Sequence, residues 1–143
     1  MSFWKTCTVG AIALAHSFAM SAAVSAQSGN FVLELNNAAD VDDSCRLTYV
    51  ATNNTGVGLE KTSYEVAIFD GEGRVSNLLV LEFGQLPIAK TKVVQFDLKG
   101  SACGTISRIV VNNLAECDSA DGSHDFCLSA LITSSRTDIQ FGV

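Results

Sequence analysis

The chain has 143 residues, 48% of them hydrophobic, a single proline and a formal net charge of −6. That composition excludes a disordered tail. The acidic balance argues against nucleic acid and against anionic lipid as partners.

Residues 1–26 read as a cleaved signal peptide. Lys5 is the one charge in Met1–Thr8. Val9–Met20 is mostly apolar although His16 and Ser17 interrupt it, and Val24-Ser25-Ala26 offers small side chains to a signal peptidase. The run is shorter than the roughly 20 uninterrupted apolar residues of an anchor, so no membrane span is expected after cleavage. What remains, 27–143, is the size of one domain. It carries eight bases against fifteen acids, a net charge of −7. Four cysteines stay with it: Cys45, Cys103, Cys117 and Cys127. An even count in a small exported domain points to two disulfides and a periplasmic or secreted address. No pair is spaced C-x-x-C and His124 is the one histidine after the leader, so a zinc site is not expected.

Phe31–Leu35 alternates apolar and polar positions and predicts a first strand. Asn36–Ser44, with Asp40, Asp42 and Asp43, reads as an acidic loop. Cys45–Thr52 is a second strand, with Cys45, Leu47, Tyr49 and Ala51 facing the core and Arg46, Thr48 and Thr52 facing out. Asn53–Gly58 is turn-rich, and Asn53-Asn54-Thr55 matches a glycosylation sequon. Thr62–Phe69 is a third strand. Asp70-Gly71 supplies the positive φ of a hairpin turn into a fourth, Val75–Phe83. Pro87 marks the next turn. Thr91–Leu98 is a fifth strand, with Val94, Phe96 and Leu98 inward. Thr105–Asn113 is a sixth and Leu128–Ser134 a seventh, which Asp138–Phe141 extends. No helix is expected after the leader.

If the strands run up and down in turn, Cys45 and Cys103 begin the second and sixth strands at one pole. Cys117 and Cys127 then lie at the other. Cys103 and Cys117 are separated by about 45 Å of extended chain at roughly 3.3 Å per residue, against the roughly 7 Å between Cα atoms that a disulfide tolerates. The same distance excludes Cys103–Cys127. The pairing left is Cys45–Cys103 with Cys117–Cys127. About seven short strands with turn signals between them indicate an all-β fold, an antiparallel immunoglobulin-like β-sandwich.

Between Cys45 and Phe96, a strand ending in Asn-Asn is followed by YEVAIFDGEG (Tyr64–Gly73) and GQLPIAKTKVVQF (Gly84–Phe96). This stretch resembles the FxLYD-like and related immunoglobulin-like domains of exported bacterial proteins. There a strand ending in Asp-x-x-Gly precedes a Leu-Pro turn and a strand closing on Phe. The resemblance covers about half of residues 27–143, and the two cysteine pairs depart from that family's pattern. The whole is also similar to small exported proteins of alphaproteobacteria. The resemblance implies the fold and no mechanism.

Four groups of residues invite a chemical reading. Asp118, Asp121 and Asp125, with Glu116 and His124 nearby, lie on or beside the Cys117–Cys127 loop. Three carboxylates on a closed loop suit calcium, which takes six to eight oxygens, but their spacing is not that of an EF-hand, and a solvated hairpin tip explains them more simply. Asp40, Asp42 and Asp43 fall at the opposite pole and cannot join that site. His124 with Ser119 or Ser123 would need an orienting group and a nucleophile elbow to act as a hydrolase. Arg46, Arg74, Arg108 and Arg136 would make an anion patch if they converged. No catalytic residue and no cofactor is assigned. The expectation is a non-catalytic interaction or structural module of the cell envelope, bound to a protein partner through loops or an open strand edge. The alternative is a calcium- or metal-binding protein, or a small hydrolase, built on the acidic loop.

Overall fold

The computed structural model describes residues 29–143; the leader expected over residues 1–26 lies outside the described residues. Among the described residues nine strands, rather than about seven, form two sheets. The first holds β1 (Phe31–Val41), β2 (Ser44–Asn53), β5 (Thr91–Lys99) and β8 (Leu131–Ser135), in the order β5-β2-β1-β8. The second holds β3 (Lys61–Asp70), β4 (Val75–Glu82), β6 (Ile106–Ser119) and β7 (Gly122–Ser123), in the order β4-β3-β6-β7, with β9 (Gln140–Gly142) also on β6.

Period-two patterning sets what is buried. Phe31, Leu33 and Leu35 of β1 and Cys45, Leu47, Tyr49 and Ala51 of β2 face inward against Tyr64, Val66 and Ile68 of β3 and Ile109 of β6. Each large side chain removed from water stabilises the fold by roughly 1.5–3 kcal/mol. Aromatic rings hold the centre: Tyr49 meets Phe83, Phe96 and Phe141 edge-on, with ring centroids 5.8, 6.0 and 5.2 Å away. Edge-to-face contact suits the ring quadrupole.

The structure corrects the expected layout in several places. Asn36–Ser44 is not a loop: β1 runs on to Val41, pairing Asn37 with Thr48 and Val41 with Ser44, after a bulge at Asn36. The reversal is only Asp42-Asp43, where Asp42 takes φ 53°, a value that Asp tolerates better than most residues. In the β3–β4 hairpin the positive φ belongs to Gly73 and not to Asp70-Gly71, while the Asp70 side chain accepts the Glu72 and Arg74 N–H groups. β6 continues six residues beyond Asn113. Leu128–Ser134 does not begin as a strand: Phe126–Ser129 forms a one-turn helix, α1, and Cys103–Thr105 a 3₁₀ turn. Nor is the sheet pairing wholly antiparallel. β8 lies parallel to β1, and β9 does not extend β8 but crosses to the other sheet, parallel to β6. The Ser135 hydroxyl holds that crossing, donating to the Ile139 carbonyl at 2.7 Å.

Both disulfides pair as the strand lengths require. Cys45–Cys103 joins β2 to the turn before β6, and so one sheet to the other; Cys117–Cys127 joins β6 to α1.

Candidate functional site

The Cys117–Cys127 pole is built by a tight β6–β7 hairpin followed by α1. Ser123 donates to Asp118 Oδ1 at 2.6 Å, and the Ser119 hydroxyl lies 2.8 Å from His124 Nε2. The same hydroxyl accepts the Asp121 N–H. His124 stacks on Phe126 with ring centroids 4.8 Å apart. The buried Tyr64 hydroxyl donates to the Cys127 carbonyl at 2.6 Å, tying the pole to β3. Burial pushes the Tyr64 phenol well above its ordinary range.

These contacts dispose the predicted acids separately. Asp118 is engaged with Ser123. Asp121 is on the exposed turn, and Asp125 starts α1 with its backbone carbonyl accepting from Leu128 and Ser129. Among the described residues no three His, Cys, Asp or Glu side chains are grouped so as to hold a metal ion. Ser119 and His124 do meet, which sequence spacing had not required. Ser119 is buried and its oxygen is held by the hairpin backbone, so the pair fixes the turn. Asp40, at the far pole, accepts the Cys103 N–H at 2.7 Å and steadies the other disulfide.

The four arginines do not converge. Arg46 forms a two-pronged pair with Asp97, at 2.7 and 2.8 Å. Those hydrogen bonds hold the Asp97 carboxyl below the usual carboxylate range. Arg136 meets Glu34, whose carboxyl is lowered first by the Asn36 amide and then by Arg136. Arg74 meets Glu72 on an exposed turn, and Arg108 lies 4.1 Å over the Phe69 ring. The sequon is also closed. Asn53 is fully buried, and its side-chain nitrogen donates to the Val57 and Leu86 carbonyls, so the folded protein offers no amide to a glycosyl donor.

A surface that sequence reading missed lies on the outer face of the β4–β3–β6 sheet. Register aligns Val75 of β4 with Phe69 and Arg108, then Leu78 with Ala67 and Val110, and sets Val80 beside Glu65. Val75, Leu78 and Val80 are 56, 54 and 49% exposed. β4 is the last strand of its sheet, so one side of its backbone is unpaired. The signal was the run Val75–Leu81, VSNLLVL, apolar on both faces where a half-buried strand would alternate.

No protein-family model matches the chain, and no curated protein or solved structure matches it.

Proposed function

We propose that the chain is an exported, non-catalytic interaction or structural module of the cell envelope, folded as a variant of the immunoglobulin-like sandwich. The observation that carries this reading is the apolar outer face beside an open strand, on a body stiffened by two disulfides. Exposed apolar surface of this kind marks contact sites, and rigid sandwiches place recognition on loops and edges. The sandwich assignment is supported by the Cys45–Cys103 bridge between β2 and the start of β6, in facing sheets. The parallel β8 and β9 pairings depart from that fold's usual plan. Both disulfides suit an oxidising compartment. Among the described residues no helix is long and apolar enough to cross a membrane.

Two measurements test the reading. Fractionation with N-terminal sequencing should find the protein in the periplasm or medium, beginning at Gln27; a cytoplasmic chain with its leader intact overturns the envelope assignment. A photo-crosslinking side chain at Val80 should give a discrete adduct there, and one at Val50 on the opposite sheet should not. Equal labelling at both positions removes the contact face.

The alternative, a metal-dependent protein or small hydrolase using the acidic loop, has one favouring observation, the 2.8 Å contact of Ser119 with His124. It requires that millimolar calcium raise the melting temperature, or that Ser119→Ala abolish an ester hydrolysis shown by the parent. If neither occurs, the alternative is excluded.

A further inference from the structure

The open edges of the two sheets differ. β5 carries Lys92, Asp97 and Lys99, and β7, β8 and β9 are only two to five residues long. Charge and shortness are how natural sheets guard their edges. β4 has eight residues and no charge between Val75 and Leu81. Its one irregularity in pairing with β3, near Ser76, leaves Asn77–Glu82 in unbroken register.

The backbone of that edge is aimed outward. The Leu78 N–H donates to the Asn77 side chain at 2.9 Å and not to β3. Leu78 and Ala67 are therefore a non-hydrogen-bonded pair. By alternation along the ladder, Leu78, Val80 and Glu82 turn their N–H and C=O groups to the open side. The edge also ends in opposite charges. Arg74 precedes it and Glu82 closes it, each four residues from Leu78. Antiparallel pairing about Leu78 sets the Arg74 end of each strand against the Glu82 end of the other. A two-fold axis normal to the sheet keeps Leu78 and Val80 of both copies on one apolar face. The contact of Arg74 with Glu72 does not oppose this, since both side chains are mostly exposed.

We infer that β4 pairs, antiparallel and about a two-fold axis at Leu78, with β4 of a second copy of this chain. The inference rests on the interaction reading above and names its partner. The Leu78 residues of the two copies exchange both backbone hydrogen bonds across the axis. The Asn77 amide is a local stopper that the incoming strand displaces. One strand pair is small beside the about 1,000 Å² that stable interfaces bury, so association depends on concentration.

Sedimentation of the purified, oxidised protein from low micromolar to millimolar concentration tests it. The sedimenting mass should double over that range. Val80→Pro, which removes an outward N–H and leaves the β3 ladder whole, should keep the protein monomeric with an unchanged circular dichroism spectrum. Leu78→Lys should do the same if the proline variant folds poorly. Asn77→Ala should lower the half-association concentration several-fold, and Val93→Lys on the opposite sheet should leave it unchanged. A mass that stays monomeric at every concentration overturns the inference, as does a dimer that survives both Val80→Pro and Leu78→Lys. A monomer that still gives the Val80 adduct with another envelope protein defeats self-pairing and spares the interaction reading. A β4-dependent dimer found in the cytoplasm defeats the envelope assignment and spares the pairing.

Discussion

Two tyrosines of the core offer a paired test, because the same isosteric change at each should have opposite signs. Tyr64 and Tyr49 are both fully buried. The Tyr64 hydroxyl is bonded to the Cys127 carbonyl, while the Tyr49 hydroxyl has no hydrogen-bond partner among the described residues. Replacing either by Phe keeps the ring and its packing and opens almost no cavity. Tyr64→Phe removes a buried hydrogen bond and leaves the carbonyl unsatisfied, a loss of about 1–3 kcal/mol. Tyr49→Phe removes a hydroxyl buried without compensation, and should stabilise by roughly 1 kcal/mol. For a domain of this length, 1 kcal/mol moves the melting temperature by about 3–6 °C. Urea titration and calorimetry of the two oxidised variants read both signs directly. If Tyr49→Phe proves as destabilising as Tyr64→Phe, the account of polar satisfaction in this core is wrong.

Further expectations follow from the same contacts. Burial raises the phenol of both tyrosines. The unfolded chain therefore loses those protons first, near pH 10, and stability falls as pH rises beyond that, by about 1.4 kcal/mol per pH unit for each tyrosine. Below pH 10 this contribution is fully present, and either Phe variant should roughly halve the alkaline slope in pH-dependent urea titrations. Replacing Cys117 and Cys127 together by Ala should cost about 3 kcal/mol, and replacing Cys45 and Cys103 about 4, on the chain-entropy estimate for closures of 10 and 58 residues. Equal midpoints for both variants and the parent in urea would contradict this. Asn53→Ala leaves the Val57 and Leu86 carbonyls without their donor and the Thr55 N–H without its acceptor. It should lower stability by about 2–4 kcal/mol in the same titration, more than any surface substitution on β5.

The inward faces of β2 and β5 were legible because alternation is a local signal. The disulfide pairing was legible for a different reason, since an extended segment from Cys103 to Cys117 cannot fold back on itself. What escaped was non-local. Asn37–Val41 carries no apolar alternation and becomes a strand only because β2 offers it a partner. β8 and β9 are expected as one strand; their split between the two sheets and their parallel pairing rest on neighbours far away in sequence. The contact of Ser119 with His124 depends on the turn at Ala120-Asp121 closing β6 on β7, which residue spacing alone does not reveal. β4 is legible as a strand, but the exposure of its apolar outer row is not, because nothing in the sequence says which strand ends a sheet.

The strand that crosses between layers bears on how the molecule comes into being. Phe31 is zipped to Leu131, and Ile109 to Phe141, so β8 and β9 complete one sheet each. Both β8 and β9 must therefore be synthesised before the two sheets are complete, and the long-range pairing makes that closure slow. If the chain is exported as proposed above, such lateness keeps it pliable enough to be threaded through a narrow translocation channel.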